Sequence, residues 1–172
     1  TQESMVGVPG QEVLSVPTPE GRLVVEVRGP RTTGPPVVCL HGLSANRATW
    51  EPVADRLRHR RFLLVDLLGR GESDAAREAH YDLESEALRL ARVLQALGLR
   101  RPVLAGHSHG AAIAVAAAAR VNALGLMLVN PVTPDLSRPG ALAARKYPPV
   151  RSRVAPSLRL FRRSLTRYML VR

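Results

Sequence analysis

Short apolar runs alternate with helix-like segments along most of this chain, and that alternation limits its possible folds more than any other feature. Three runs carry no polar residue, as expected for strands buried on both faces of a sheet: 37–40, 62–65 and 103–105. Segments with helical spacing of apolar residues follow them, at 49–60, 82–97 and 111–120. Such alternation predicts an α/β fold, with a mostly parallel sheet, helices on both faces and ligands at the carboxyl ends of the strands.

Other predicted boundaries follow from capping and turn residues. Thr49 is placed as the N-cap of the first helix, and Gly98 ends the second. A proline-rich turn at 17–21 separates two early strands. The remaining predicted strands are 12–16, 22–27 and 124–129.

Composition places the chain among ordinary globular proteins. Its 172 residues are enough for one domain with a hydrophobic core, and 45% of them are hydrophobic. The single cysteine, Cys39, excludes an internal disulfide framework and a cysteine-based metal cluster. The longest apolar run, 111–119, is shorter than the roughly 20 residues of a membrane-spanning helix. With no signal peptide visible in 1–10, we expect a cytoplasmic protein.

The positive charge is concentrated at the end of the sequence. The net charge is +11, yet residues 136–172 hold ten basic residues and no Asp or Glu, which leaves about +1 for the rest. Proline and arginine accumulate there, and apolar residues recur at helical spacing within 157–170. We therefore expect two parts: a core over 1–134 and an arginine-rich helical segment over 135–172.

The chemistry is concentrated in Gly106-His107-Ser108-His109-Gly110, a Gly-x-Ser-x-Gly sequence between a predicted buried strand and an alanine-rich helix. In a strand-to-helix elbow the serine takes a strained backbone conformation that only small neighbours tolerate. The turn presents the Ser108 hydroxyl at a helix N-terminus, where the dipole favours developing negative charge. This context favours a catalytic nucleophile over a tight turn with an incidental serine.

Together with His41-Gly42 and the turn Asp66-x-x-Gly69-x-Gly71-x-Ser73, the elbow resembles the α/β-hydrolase superfamily, over about residues 12 to 135. The resemblance implies the α/β-hydrolase fold, incomplete at the C-terminus. It also implies that 135–172 begins a helical cap. No metal or organic cofactor is implied.

The resemblance also assigns the oxyanion hole. In the family, the loop after His-Gly supplies one backbone amide and the residue after the nucleophile supplies the other. Carried over, these donors are the N–H groups of Leu43 and His109. His41 and Gly42 are then expected to shape the loop rather than to transfer protons.

Other titratable residues receive structural roles. A base must reach the nucleophile from across the pocket, so His107 is expected beneath the elbow, and neither it nor His109 is the expected base. His59 and His80 are predicted at the surface. Asp66 is expected to be structural, as this turn mainly is in the family. In some family members the triad acid follows the sixth strand, which would make it Asp135. More commonly it follows the seventh strand, so we expect the acid to lie downstream of this sequence, with Asp135 as the alternative.

The chain departs from the family pattern at one point. The triad order is Ser, then Asp or Glu, then His, and no histidine follows His109. We therefore expect a fragment, inactive alone, of a hydrolase that cleaves ester-like, acyl or C–C bonds of a small molecule. Two alternatives stay open: a non-catalytic module with the same fold, or a nucleic-acid or membrane-surface binder acting through the arginine-rich tail. The tail lacks aromatic interleaving, so we expect neither nucleic acid nor membrane as a partner.

Overall fold

The computed structural model describes residues 10–31 and 34–131. Six strands lie in these ranges: β1 Gln11–Thr18, β2 Gly21–Arg28, β3 Val37–Leu40, β4 Phe62–Val65, β5 Val103–His107 and β6 Gly125–Val129. The α-helices are α1 Glu51–Arg56, α2 Leu83–Ala96 and α3 His109–Ala117, and a 3₁₀ turn at Arg47–Trp50 precedes α1. The expected boundary at 134 and the expected cap over 135–172 lie outside the described residues.

The six strands form one sheet in the order β1-β2-β4-β3-β5-β6. β1 pairs antiparallel with β2, and β2 antiparallel with β4. The pairings of β3 with β4, β3 with β5, and β5 with β6 are parallel. The predicted mostly parallel sheet is confirmed, and the carboxyl ends of the four parallel strands share one edge.

Apolar side chains from the central strands alternate between the two faces of the sheet. Leu63 and Val65 of β4 join a core with α2 and α3 on one face. Phe62 and Leu64 join a smaller core with α1 on the other. Burying each such side chain contributes roughly 1.5–3 kcal/mol, which explains why the central runs contain no polar residue. The expected helices on both faces are confirmed.

The smaller core contains Trp50 and Cys39. Trp50 is buried in the same cluster as Cys39 and Ala54, so it packs beneath the adjoining helix. Cys39 is fully buried in β3, and burial raises the pKa of its thiol far above the usual range. It therefore stays a protonated core thiol.

The first helix differs from its prediction. Thr49 is not its N-cap: the side chain of Asn46 accepts a hydrogen bond from Ala48 N at 3.0 Å and caps the 3₁₀ turn instead. The α-helix proper begins at Glu51 and ends at Arg56, because Leu57 leaves the helical backbone region with φ −117° and ψ 45°. The predicted extension to residue 60 was wrong for that reason.

The first hairpin is longer and tighter than predicted. Pro17 and Thr18 pair with Arg22 and Gly21, so they belong to β1, and only two residues remain for the turn. Proline fits here because β1 is an edge strand of the described sheet.

Helix α2 follows its prediction to within a residue at each end. The side chain of Asp82 accepts a hydrogen bond from Ser85 N at 2.9 Å, which satisfies a free N–H of the first turn. The helix also contains a buried ion pair that the sequence did not predict, in which Glu86 lies 3.0 Å from Arg89. Burial raises the pKa of the Glu86 carboxyl despite this partner.

Candidate active site

The elbow is formed where β5 gives way to α3. Between them, Ser108 has φ 53° and ψ −116°, a conformation that L-residues with side chains rarely adopt. Backbone hydrogen bonds hold it on both sides: Ser108 N donates to Val129 O at 2.9 Å, and Ala111 N donates to Ser108 O at 3.0 Å. The surrounding sheet and helix therefore maintain the strained residue.

Close backbone approach explains the glycines on either side of Ser108. A Cβ added to Gly106 would lie 2.3 Å from Gly110 O. A Cβ added to Gly110 would lie 2.3 Å from Leu40 O at the end of β3. Any side chain at either position would push α3 away from the strands that hold the elbow.

The loop after β3 meets this elbow. A Cβ built on Gly42 would lie 3.5 Å from Ser108 Cβ, so the loop backbone passes directly beside the serine. Among the described residues, no hydrogen bond engages the N–H of Leu43 or of His109. The structure thus brings together Ser108 and the loop and helix start that carry the two amide groups expected from the sequence.

His41 anchors the same loop from below. Its side chain is fully buried, and Nδ1 lies 2.7 Å from Gly42 O while Leu67 N donates to Nε2 at 3.1 Å. A carbonyl can only accept, so the proton is on Nδ1 and the ring is neutral. Burial lowers the pKa of His41 and outweighs the hydrogen bond to Gly42, which keeps the neutral form. Both ring nitrogens therefore form hydrogen bonds with backbone groups.

Asp66 is the centre of a buried polar network. Its carboxylate accepts hydrogen bonds from Arg47 N at 2.7 Å and Glu72 N at 3.0 Å, and it forms an ion pair with the Arg47 guanidinium. The same guanidinium reaches Glu26 at 3.2 Å and Glu72 at 2.8 Å. With every carboxylate oxygen engaged, Asp66 ties the 3₁₀ turn to the loop after β4.

Sequence reasoning missed Arg47 and Arg70. Arg47 belongs to the network around Asp66, and no local pattern marks it. Arg70, between the two glycines of the turn after β4, donates from Nε to Leu43 O and from Nη1 to Gly69 O. Its position between those glycines was the only available signal.

Two histidines flank Ser108, and hydrogen bonds among the described residues connect neither ring to the serine hydroxyl. The buried Nδ1 of His107 has no partner in the described part of the chain and would lie 3.3 Å from a Cβ on Gly42. Burial lowers the pKa of His109, with a further lowering from the positive charge of Arg70.

The remaining candidates lie away from this cluster. His59 and His80 are exposed, as expected. Asp135 lies outside the described residues. Within 10–31 and 34–131, no three His, Cys, Asp or Glu side chains group closely enough to hold a metal ion. In the same ranges no helix has the length and apolarity needed to span a bilayer.

Comparison with known sequences decides the family. The sequence model of the alpha/beta hydrolase family matches residues 37–171 of this chain. The chain belongs to the alpha/beta hydrolase family. The match includes the elbow, the loop after β3 and the turn after β4, so the three segments of the site all lie within the family region.

Several relatives of this alpha/beta hydrolase have the names of hydrolases. Lipase 3 of Moraxella sp. (strain TA144) is 34% identical over 110 residues, which are 63% of this chain and 35% of the lipase. The 2-hydroxy-6-oxo-2,4-heptadienoate hydrolase of Pseudomonas putida is 40% identical over 91 residues, 51% of this chain and 33% of that enzyme. The chain thus spans about a third of the length of these relatives.

Solved structures give the same fold. An N-acyl homoserine lactonase, crystallised as a mutant complexed with N-hexanoyl homoserine, superposes with a TM-score of 0.64 at 28% identity. The superposition covers 70% of this chain and 45% of the lactonase. The α/β-hydrolase fold expected from the sequence is confirmed.

Proposed function

We propose that this protein is a serine hydrolase that cleaves an ester-like bond of a small molecule, with Ser108 as the nucleophile. The backbone of Ser108 carries the proposal, because a non-glycine residue with φ 53° lies at the start of α3, beside the loop after β3. Strain of this kind costs about 1–3 kcal/mol and concentrates at active sites. The amino end of α3 adds positive potential where negative charge develops.

In the proposed reaction, Ser108 Oγ attacks the carbonyl carbon of the substrate and its proton passes to a general base. The carbonyl oxygen becomes an oxyanion. When the tetrahedral intermediate collapses, the carbon–oxygen bond to the leaving alcohol breaks and the alcohol takes the proton from the base. Water then attacks the acyl-serine, which releases the acid and restores Ser108.

The N–H groups of Leu43 and His109 are the proposed oxyanion donors. Gly42 O is held by His41 Nδ1 and by Ala45 N at 3.1 Å, and it shares a peptide plane with Leu43 N. Fixing the carbonyl therefore fixes the direction of the N–H on the same plane. Donors oriented before the reaction stabilise the oxyanion without reorganisation. In this proposal His41 positions a donor and does not accept the serine proton.

The general base is proposed to come from outside this sequence. His41 uses both ring nitrogens on the backbone, and no hydrogen bond among the described residues joins His107 or His109 to Ser108. The chain spans about a third of its curated relatives, so these proteins contain sequence without a counterpart here. The triad acid is proposed to come from outside this sequence as well, with Asp135 as the alternative within the chain.

Relatives support the substrate class at a coarse level. A lipase, a 2-hydroxy-6-oxo-2,4-heptadienoate hydrolase and an N-acyl homoserine lactonase all act on small organic molecules. They suggest ester, acyl or C–C bonds as the targets. A non-catalytic module that only binds such a molecule is the alternative, and covalent labelling of Ser108 separates the two.

The test compares the 172-residue chain with the full-length protein, defined as this sequence together with its adjoining coding sequence. The full-length protein should hydrolyse a 4-nitrophenyl ester and react with a fluorophosphonate at Ser108. The chain alone should show neither beyond background. Losing triad members in a serine protease costs on the order of 10⁶ in turnover, so any activity that remains is small.

Three variants serve as controls for this comparison. Ser108→Ala in the full-length protein should abolish both hydrolysis and labelling, whereas His59→Ala, an exposed change, should leave both intact. Robust hydrolysis by the 172-residue chain that depends on Ser108 would show that the base lies within it, and loss through His109→Ala would identify that base. A full-length protein that fails to label would favour the binding module.

A further inference from the structure

One cation at the candidate site has no anionic partner in the described part of the chain. Arg70 is half-buried in the turn after β4, and its side-chain hydrogen bonds among the described residues go to the carbonyls of Leu43 and Gly69. A guanidinium carries five N–H groups. Two are engaged here, so both N–H groups of Nη2 and one of Nη1 remain for another acceptor.

Two other arginines of low exposure are paired with carboxylates. Arg47 contacts Glu26, Asp66 and Glu72. Arg89 lies 3.0 Å from Glu86. The Glu86 carboxylate also attracts Arg70, but its ion pair is with Arg89. Arg70 therefore differs from these arginines in having no carboxylate of its own among the described residues.

Arg70 is hydrogen-bonded to the loop that passes beside the nucleophile. The carbonyl that it holds belongs to Leu43, next to Gly42, whose Cα passes beside Ser108. Its positive charge lowers the pKa of both His41 and His109, which places the guanidinium within electrostatic reach of the loop and of the helix start. A substrate bound at Ser108 would therefore lie near the positive charge of Arg70, which forms no ion pair with a carboxylate among the described residues.

We propose that Arg70 binds a carboxylate of the substrate, so that the acyl group transferred to Ser108 carries an anion. This inference rests on the proposed function of Ser108. Arginine presents N–H groups in a planar fork that matches a carboxylate, and such charge-assisted hydrogen bonds are about twice as strong as neutral ones. The bonds to Leu43 O and Gly69 O hold the fork in place, which reduces the ordering cost on binding.

The test uses two esters of the same shape and different charge. 4-Nitrophenyl hydrogen succinate carries a carboxylate, and 4-nitrophenyl 4-methylpentanoate is its neutral isostere. In the full-length protein we expect kcat/KM to favour the succinate ester. Arg70→Gln should lower the ratio of the two kcat/KM values by about tenfold or more, because a charged hydrogen bond is lost. Arg70→Lys, which keeps the charge without the fork, should retain part of the preference.

Arg77→Gln is the matched control, since it removes the same charge from an exposed position of the same loop and should leave the ratio within about twofold. Equal losses on both esters in Arg70→Gln and Arg70→Lys would overturn the inference and leave Arg70 as a residue that positions the loop. Absence of a preference for the succinate ester in the unmodified protein would also overturn it. Neutral-ester hydrolysis that survives Ser108→Ala is a separate result, which would overturn the proposed function itself.

Discussion

The backbone N–H of Leu67 donates to Nε2 of His41 at 3.1 Å, and this bond joins the loop after β3 to the loop after β4. Because Nε2 accepts, the proton of the neutral ring is on Nδ1, where it binds Gly42 O at 2.7 Å. A single buried ring thus connects the peptide beside Ser108 to the end of a neighbouring strand. The loop geometry at the nucleophile therefore depends on the protonation state of His41.

Replacing His41 should destabilise the fold. His41→Ala leaves the buried N–H of Leu67 unsatisfied and opens a cavity, at an expected cost of at least about 2 kcal/mol in the free energy of unfolding. Urea denaturation of the full-length protein measures it. The exposed His59→Ala should change the same quantity by less than about 0.5 kcal/mol. Equal, small effects would mean that the ring does not support the loops.

Stability should fall as the solution becomes acidic. Burial lowers the pKa of His41 and of His109 in the folded state, so the unfolded chain binds more protons just below the ordinary imidazole pKa of about 6.5. The contribution of these two histidines to the free energy of unfolding is therefore greatest above this pH and decreases as pH falls through the window beneath it. His41→Gln should reduce the pH dependence of the urea midpoint in this window, while His109 keeps its own contribution and Glu86, whose carboxyl pKa is raised by burial, adds one of opposite sign. An unchanged profile would contradict this.

Two substitutions in the polar network around Asp66 test whether this carboxylate is structural or catalytic. Asp66→Asn removes the buried negative charge that pairs with the Arg47 guanidinium. We expect this change to lower the free energy of unfolding by about 2 kcal/mol or more. Glu72→Gln, at an exposed partner of the same guanidinium, should cost less than about 1 kcal/mol. Thermal unfolding of both variants gives the comparison. An Asp66→Asn variant with native stability and no hydrolysis would instead indicate a catalytic carboxylate.

Alanine substitutions at two glycines distinguish the cost of a steric collision from the cost of backbone strain. Gly71 and Gly98 both have positive φ, 54° and 64°. A Cβ on Gly71 would lie 2.2 Å from Asp66 Oδ2, whereas one on Gly98 meets nothing within 4 Å. Gly98→Ala should therefore cost only the left-handed penalty of about 1–2 kcal/mol. Gly71→Ala should exceed it by a further 1 kcal/mol or more, on the order of a lost buried hydrogen bond; equal losses would contradict the collision.

The sequence predicted those elements whose signal is local. The runs 37–40 and 62–65 were predicted with the bounds that β3 and β4 have, because a strand buried on both faces cannot accept a polar residue without a partner. The elbow around Ser108 was located for a similar reason, since its two glycines are required by atoms within a few residues or on the adjacent strand.

Features that depend on distant partners were missed. The ion pairs of Arg47 reach residues 19 to 25 positions away, and no periodicity marks such contacts. The start of the first helix was misplaced, because Asn46 capped a separate 3₁₀ turn ahead of it. That Arg70 forms no ion pair with a carboxylate among the described residues likewise becomes apparent only when the surrounding side chains have been placed.

Removing the side chain of Ser108 should stabilise the protein while it abolishes the proposed chemistry. At φ 53° a glycine avoids the strain that serine bears, so Ser108→Gly should raise the free energy of unfolding by about 1 kcal/mol. Ser44→Gly is the matched control, because Ser44 is exposed and its φ is not positive; added freedom of the unfolded chain should make this change neutral or destabilising. Urea unfolding of the two variants beside the parent gives the answer. A Ser108→Gly variant less stable than the parent would show that the serine side chain stabilises the elbow, and the strain argument for its role as nucleophile would fail.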